Sequence, residues 1–200
     1  MRKDLISSVV AVVVLTLALG VAYPLTVTGI GQVVFAEQAD GSRVQHDGRE
    51  VGSRLIGQAF VDADGAPVER YFQSRPSVSD YNPAGTFFNN LGPNQAELRD
   101  LLIENAEAYL ELEGPDNPGL TRAEIPPDAV TTSASSVDPH ISPENARIQA
   151  ARVARVRGLQ RGRVLELVED TTAGRALGFM GEAGVNVLEL NLALDAEEAR

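Results

Sequence analysis

The sequence predicts an α+β protein, in which one N-terminal transmembrane helix is followed by a single extracytoplasmic domain of mixed helices and strands. Two observations indicate this fold class. No charged residue occurs from Leu5 to Ala36, which is a run long enough to cross a membrane. In residues 37–200, some segments have the apolar period of a helix and others that of a strand, and they do not alternate regularly as strand, helix and strand. The 164 residues of this part suit one domain.

The membrane anchor is the first predicted element. Residues 5–23 form an almost wholly apolar segment of about the 20 residues that a helix needs to span the hydrocarbon core. Arg2 and Lys3 precede it, and basic residues stay on the cytoplasmic side, so the N-terminus is expected inside and residues 37–200 outside. Pro24 is expected to kink or end the helix, and the exit segment continues to residue 36.

A cleaved secretory signal is the alternative interpretation of the same segment. A basic start, an apolar core and the small-residue stretch Ala18-Leu19-Gly20 all fit it. The apolar run continues to Phe35, however, which is longer than a usual signal. Both interpretations place the rest of the chain outside the cytoplasm.

The charge of the chain restricts its partners. The formal net charge is −11, and Lys3 is the only lysine. Such an acidic chain is not expected to bind nucleic acid, because phosphate binding needs clustered cations. The acidic surface is expected to serve solubility.

Two segments of the first half of the domain have clear local signals. Residues 51–61 lie between turn signals and are predicted to form a strand. Residues 94–113 carry an apolar stripe and are predicted to form an amphipathic helix, with Asn94 as N-cap and Gly114-Pro115 as its end. The opposite face of this helix is acidic and comprises Glu97, Asp100, Glu104, Glu107 and Glu111.

The second half is predicted to contain one helix and two strands. Ser142 is a good N-cap before a proline at the first helical position, so a helix is expected from Pro143 to about Arg157, closing at Gly158. Residues 163–170 and 184–195 are assigned as strands from their period and β-branched content.

The loop 131–143 holds the densest set of chemically active residue types. A Ser–His–Asp triad would use His140 and Asp138, but the chain has no G-x-S-x-G motif. A metal site would use the same two residues, and His46 is the only other histidine. A structured loop in which Asp138 and Ser142 bind backbone groups is the preferred interpretation.

Six arginines, among them Arg152, lie between residues 147 and 163. They could form a docking surface for a phosphate or an acidic partner. The favoured alternative is ion pairing within the chain, with the acidic face of the 94–113 helix. Gln149 shares a helical stripe with Val153 and Val156, so its side chain is expected to face packing or a partner.

Several motifs together make the chain resemble the C subunit of the Kdp high-affinity potassium-transporting ATPase. They cover nearly the whole chain in the family's order. The matches include Tyr23-Pro24 with Gln32, residues 52–60, Tyr71–Ser77 with Arg75 and Pro76, Asn90–Pro93, Asp138–Pro143 with Gln149 and Arg152, and Val185–Asp195. The chain departs from the family's usual pattern at residues 85–89 and at Ser136-Val137.

The resemblance implies an accessory subunit without catalytic activity of its own. In that family a channel-like subunit binds potassium, a P-type subunit hydrolyses ATP, and the C subunit acts as a catalytic chaperone that raises the pump's ATP affinity. No cofactor is expected to bind stably, and ATP would be met only through the complex; neither a Walker A loop nor the phosphorylated Asp-Lys-Thr-Gly motif is present.

The resemblance also implies site residues. Gln149 matches the proposed nucleotide contact of the family, although the predicted topology puts it outside while ATP is inside, which favours a structural or docking role. The other matched residues are expected to contact partners or support the structure, and they are Tyr23, Pro24, Gln32, Arg75, Pro76, Asn90, Asp138, His140, Ser142 and Arg152. An anchored extracytoplasmic binding module remains the alternative from another functional class, with an anchored hydrolase as a more distant one.

Overall fold

The computed structural model describes residues 2–85 and 87–198 of the 200-residue chain. The chain divides into two compact units, Met1–Arg43 and Val44–Arg200.

The first unit consists mainly of one long helix, α1. It runs without interruption over Arg2–Val34, and none of its described side chains is buried. At about 1.5 Å per residue its 33 residues exceed the roughly 30 Å of a bilayer core. The short helix α2 (Ala36–Ala39) follows. The predicted membrane-spanning helix is therefore present, by length and by composition.

Pro24 was expected to kink or end the helix, and it does not end it. The turn before it, Ala18–Ala22, is π-helical, and the Tyr23 N–H donates to the carbonyl of Ala18, five residues back. A proline ring in a regular α-helix clashes with the carbonyl four residues before it. A π-helical turn is wider than an α-helical one, so the chain accommodates Pro24 without ending the helix. Helical geometry then resumes at once as Tyr23–Val34.

The second unit contains mostly helices with two small sheets. The two-stranded sheet pairs β1 (Arg43–His46) with β2 (Arg49–Ser53). The three-stranded antiparallel sheet has the order β3–β5–β4, in which His140 pairs with Asn186 and Thr172 with Val185. Its strands are β3 (His140–Ile141), β4 (Thr172–Ala173) and β5 (Gly184–Asn186). The helices of the second unit are α3 (Ala96–Glu113), α4 (Pro127–Val130), α5 (Pro143–Arg157), α6 (Arg161–Asp170) and α7 (Val187–Glu198). Short 3₁₀ turns occur at Gly114–Asp116 and Arg122–Glu124.

Helix α5 confirms its sequence prediction at both ends. The Ser142 hydroxyl accepts a hydrogen bond from the Asn145 N–H at 3.1 Å, and Gly158 ends the helix with a left-handed φ of 65°. Helix α3 also occurs where it was predicted. Its cap differs, because Gln95 rather than Asn94 occupies the N-cap position, and the Gln95 side chain accepts instead from the Gly92 N–H.

The two strands predicted near the C-terminus are wrong. Residues 161–170 form α6, and only residues 184–186 of the second segment are extended before α7 begins. Burial in α7 has the helical period, with Val187, Leu190 and Leu194 covered. Asn186 starts this helix, because its side-chain oxygen accepts from the Glu189 N–H at 3.2 Å. The short run of alternating leucines was assigned the period of a strand, but the Asn186 cap and the burial of Val187, Leu190 and Leu194 in the core select the helix.

The predicted strand 51–61 is present only as far as Ser53. Beyond it the chain passes close to the loop before β3, where the Gly57 N–H donates to the Val137 carbonyl at 2.8 Å. A Cβ at Gly57 would lie 2.6 Å from the Asp138 carbonyl oxygen, so this approach requires glycine.

The core of the second unit lies among α5, α6, α7 and β5. Its buried members include Phe72, which is fully covered and comes from an irregular segment rather than from a helix or strand. The others are Ile141, Ala146, Ala150, Val153, Ala154, Val164, Leu167, Val168, Val185, Val187, Leu190 and Leu194.

Candidate functional site

Three of the residues that carry the family resemblance, Gln149, Arg152 and Asp138, contact one irregular segment, residues 69–75, which we call the central segment. It has no regular strand partner among the described residues. Most of its described backbone hydrogen bonds are made instead by polar side chains of helices α5 and α7, which satisfy groups that would otherwise be buried without partners.

Asn191 of α7 holds the backbone of Phe72. Its side-chain oxygen accepts from the Phe72 N–H at 2.8 Å, and its amide nitrogen donates to the Phe72 carbonyl at 3.0 Å. Asn191 is 1% exposed and Phe72 is fully buried. The side-chain amide therefore replaces a neighbouring strand, and it lets the Phe72 ring enter the core.

Gln149 of α5 does the same for the next residue. Its oxygen accepts from the Gln73 N–H at 2.7 Å and its nitrogen donates to the Gln73 carbonyl at 3.1 Å. The same oxygen accepts from Arg152 at 3.2 Å, and the nitrogen donates to the Asn145 side chain at 2.9 Å. Gln149 is 1% exposed, so all of its polar atoms have partners within the chain.

Arg152 is completely buried and uses its whole guanidinium group. Its Nε donates to Glu113 Oε1 at 3.0 Å, Nη2 lies 2.9 Å from the same oxygen in an ion pair, and Nη1 donates to the carbonyls of Tyr71, at 3.0 Å, and Glu69. Burial raises the pKa of Glu113, although the Arg152 charge and hydrogen bond oppose that shift. Such a pair links α3, α5 and the central segment, and removing one member would leave a buried charge.

Arg75 and Asp138 join the other end of the central segment to the loop before β3. Arg75 Nη1 donates to Asp138 Oδ2 at 2.9 Å, and the other Asp138 oxygen accepts from the His140 N–H at 3.0 Å. Burial favours a higher pKa for Asp138, but the hydrogen bonds from His140 and Arg75 outweigh it and hold the pKa below its usual value. Asp138 is thus an ionised structural anchor, as the sequence interpretation expected.

Ser142 belongs to a second, partly buried network. Besides capping α5, its hydroxyl donates to Asp128 Oδ1 at 2.7 Å, and Asp128 Oδ2 also accepts from the Asn145 side chain at 3.0 Å. Asn145 in turn accepts from the Tyr109 hydroxyl at 2.9 Å and from Gln149. This network connects α3, α4 and α5 to the Gln149 contact.

The remaining predicted site residues lie apart from this network. Pro76 directly follows the central segment and is half-buried, and Asn90 is exposed in an irregular stretch. Tyr23 and Pro24 are exposed on α1 of the first unit, where the Gln32 side chain donates to Asp40 at 3.1 Å.

Five of the six arginines between residues 147 and 163 form described ion pairs within the chain, but not with the partners that were predicted. Arg152 alone binds helix α3, at Glu113 near its end, outside the acidic face named from the sequence. Arg157 has a fully covered side chain and pairs with Asp195 at 2.9 Å and Glu198 at 3.1 Å of α7, while Arg163 pairs with Glu197 at 2.8 Å. Arg155 pairs with Asp116 at 2.5 Å. These arginines therefore fasten α5 and α6 to their neighbours.

The geometry gives no support to the hydrolase or metal interpretations of the 131–143 loop. The described hydrogen bonds of Asp138 and Ser142 go to structural partners, and none of them joins a serine to His140. In the described part of the chain, no group of three or more His, Asp or Glu side chains could hold a metal ion.

Sequence reasoning missed Asn191, Asn145 and Glu113. Each is a polar residue that is buried on a helix. Asn191 was hidden because residues 184–195 were assigned the period of a strand. With a helical period, its position four residues after Val187 and three before Leu194 would have placed it on the buried face.

Comparison with known proteins gives a consistent picture. The profile of the family described as "K+-transporting ATPase, c chain" matches residues 5–196. A protein of Koribacter versatilis named "Potassium-transporting ATPase KdpC subunit" is 44% identical over 200 residues, covering 99% of this chain and 97% of the relative. A protein of the same name from Kineococcus radiotolerans is 49% identical over 183 residues, which cover 90% of this chain and 87% of the relative. Another, from Cereibacter sphaeroides, is 46% identical over 199 residues, which cover the whole of both chains.

Proposed function

This chain belongs to the KdpC family, and we propose that it assembles and stabilises an ATP-driven high-affinity potassium uptake complex. As a member of that family it is an accessory subunit of a K+-transporting ATPase and not the catalytic one. The observation that supports this role is the internal use of the matched polar residues. Gln149 and Arg152 are buried and form their hydrogen bonds within the second unit, and Asp138 is held there by Arg75.

The proposed partners are the channel-like potassium-binding subunit, the P-type ATPase subunit and the lipid bilayer. Helix α1 is available for the bilayer and for membrane helices of the partners, since its described side chains are not buried within the chain. Arg2 and Lys3 precede the apolar run, so we assign the N-terminus to the cytoplasm and residues 37–200 to the outside.

We also propose that any chaperone effect on ATP use is indirect and acts through assembly. A nucleotide could reach Gln149 only by displacing the Gln73 backbone from both of its hydrogen bonds, and it would have to do so on the side of the membrane opposite the cytoplasmic ATP. A subunit that stabilises the ATP-competent arrangement of the pump would raise its apparent ATP affinity without touching the nucleotide.

Co-purification tests the proposed function. The tagged full-length chain is expressed with the other subunits of its own ATPase, extracted from membranes in mild detergent and purified. We expect both the channel-like subunit and the P-type subunit in the eluate, and a lower apparent KM for ATP than in membranes that lack this chain. Recovery of the chain alone would refute the proposal and favour the anchored binding module. Recovery of a complex whose KM for ATP is unchanged would refute the chaperone effect only.

A further inference from the structure

The loop 174–183 between β4 and β5 carries an exposed group of large apolar side chains at its tip. Leu177 is 83% exposed, Phe179 72% and Met180 52%. We call these three residues the apolar knob. Soluble surfaces rarely keep several large apolar side chains together in water unless the patch is used for binding.

The backbone under the knob is held in a defined shape. Ala176 and Met180 exchange both backbone hydrogen bonds, each at 2.9 Å, and Arg175 forms an ion pair with Glu182 at 2.6 Å across the base of the loop. Leu177 has a left-handed φ of 53°, which is unfavourable for a residue with a side chain. A strained conformation that projects a leucine into solvent suggests that the position serves recognition.

The knob adjoins the network of predicted site residues. The arm that returns from it, Glu182–Gly184, lines a pocket of about 320 Å³ together with Arg75, Asp138 and His140. The Gly184 backbone lies against the His140 side chain, since an added Cβ would be 3.3 Å from the His140 Cβ. The Arg75–Asp138 pair that anchors the central segment therefore also borders the base of the knob.

The charges of this region favour a protein partner over a lipid surface. Loops that bind anionic bilayers combine an apolar tip with free lysines or arginines. Arg175, the only cation of this loop, is paired with Glu182, the only lysine of the chain is Lys3, and the chain carries a net charge of −11. Burying the knob in an apolar protein cleft requires no unpaired cation, and large rigid apolar side chains are typical interface anchors.

We infer that the apolar knob is a docking element that inserts into an apolar cleft on another subunit of the same K+-transporting ATPase. This inference rests on the proposed assembly function and identifies a surface that performs it. The ion pair and the paired backbone keep the loop ordered before binding, which limits the conformational entropy lost on docking.

Two full-length variants in the complete complex test the inference. Leu177→Ser combined with Phe179→Ser should reduce co-purification of the other subunits by on the order of tenfold or more, the loss expected for interface anchors. Phe87→Ser is the matched control, because Phe87 is 60% exposed and lies outside the knob. Both variants should retain the thermal unfolding midpoint of the unaltered chain, since exposed side chains contribute little to stability.

Photocrosslinking identifies the occupant of the knob. Benzoylphenylalanine at position 179, irradiated in membranes that contain the whole complex, should form an adduct with another ATPase subunit, whereas the same group at position 87 should not. An adduct with lipid only, with a second copy of this chain only, or with nothing would overturn the inference. The co-purification experiment separates the two proposals. If the double variant recovers the same subunits as the unaltered chain, the knob is not the docking element but the assembly function stands. If the unaltered chain recovers no other subunit, the proposed function itself fails.

Discussion

Replacing Gln149 by alanine should destabilise the second unit by about 3 kcal/mol. The change removes four hydrogen bonds in a site where the side chain is 1% exposed. Asn145 keeps its bond from Tyr109, and Arg152 keeps Glu113, so these partners remain satisfied. The Gln73 N–H and carbonyl lose the partner that bonded them. An unsatisfied buried group costs about 1–3 kcal/mol, and water reaching the half-buried Gln73 recovers part of the sum.

Urea unfolding of the fragment 44–200 measures this effect, because that fragment is a compact unit with its own core. Gln160→Ala is the matched control: Gln160 is exposed, its side chain makes no cap hydrogen bond, and its replacement should change the free energy of unfolding by less than about 0.5 kcal/mol. Gln149→Met separates packing from hydrogen bonding. It fills the same volume without polar atoms and should lose nearly as much stability as alanine.

The outcome decides between a structural and a direct nucleotide role for Gln149. If Gln149→Ala unfolds at the same urea concentration as the unaltered fragment, the hydrogen bonds to Gln73 contribute nothing and our reasoning is refuted. If that stable variant also raises the KM for ATP of the intact complex, the nucleotide contact implied by the family resemblance is supported instead.

Four further predictions follow from single sites. Ser142→Ala should cost about 2 kcal/mol in the same urea assay, because the hydroxyl both caps α5 and binds Asp128; an effect below about 0.5 kcal/mol would contradict the cap. Gly158→Ala should destabilise the second unit by about 1 kcal/mol, because a side chain is unfavourable at its φ of 65°. Gly162→Ala lies within α6 and faces open space, so it should stabilise the unit by a few tenths to about 1 kcal/mol. Equal effects of the two substitutions would refute the argument from backbone conformation. Burial raises the pKa of Tyr81 from 10.0 to about 12, so its contribution of roughly 2–3 kcal/mol is complete below pH 10 and lost as pH rises towards 12. Burial also raises the pKa of Tyr109, so Tyr81→Phe should reduce the fall in stability above pH 10 without removing it, and an unchanged fall would contradict the Tyr81 argument. For the anchor, intact-mass measurement should find residues 1–36 still attached, and a mature N-terminus near residue 21 would refute the uncleaved topology.

Elements whose signals lie close together along the chain were predicted correctly from the sequence. The anchor helix depends on an unbroken apolar run, and α5 depends on Ser142, Pro143 and Gly158 at its ends. Composition and ordered motifs were also sufficient to identify the family. A helix cap acts within one turn and membrane insertion depends on local apolar length, so neither requires knowledge of the remaining fold.

Contacts between distant residues were decided only by the tertiary structure. The helical state of residues 187–198 depends on which of alternating leucines enter the core, and Pro24 is accommodated by a π-helical turn rather than a break. Gln149 binds a backbone 76 residues away, and Arg152 finds Glu113 at a separation of 39 residues. A sequence pattern shows that such polar residues lie on an apolar face. It cannot identify their partners, because a buried hydrogen bond is selected by the whole packing arrangement that excludes water from it.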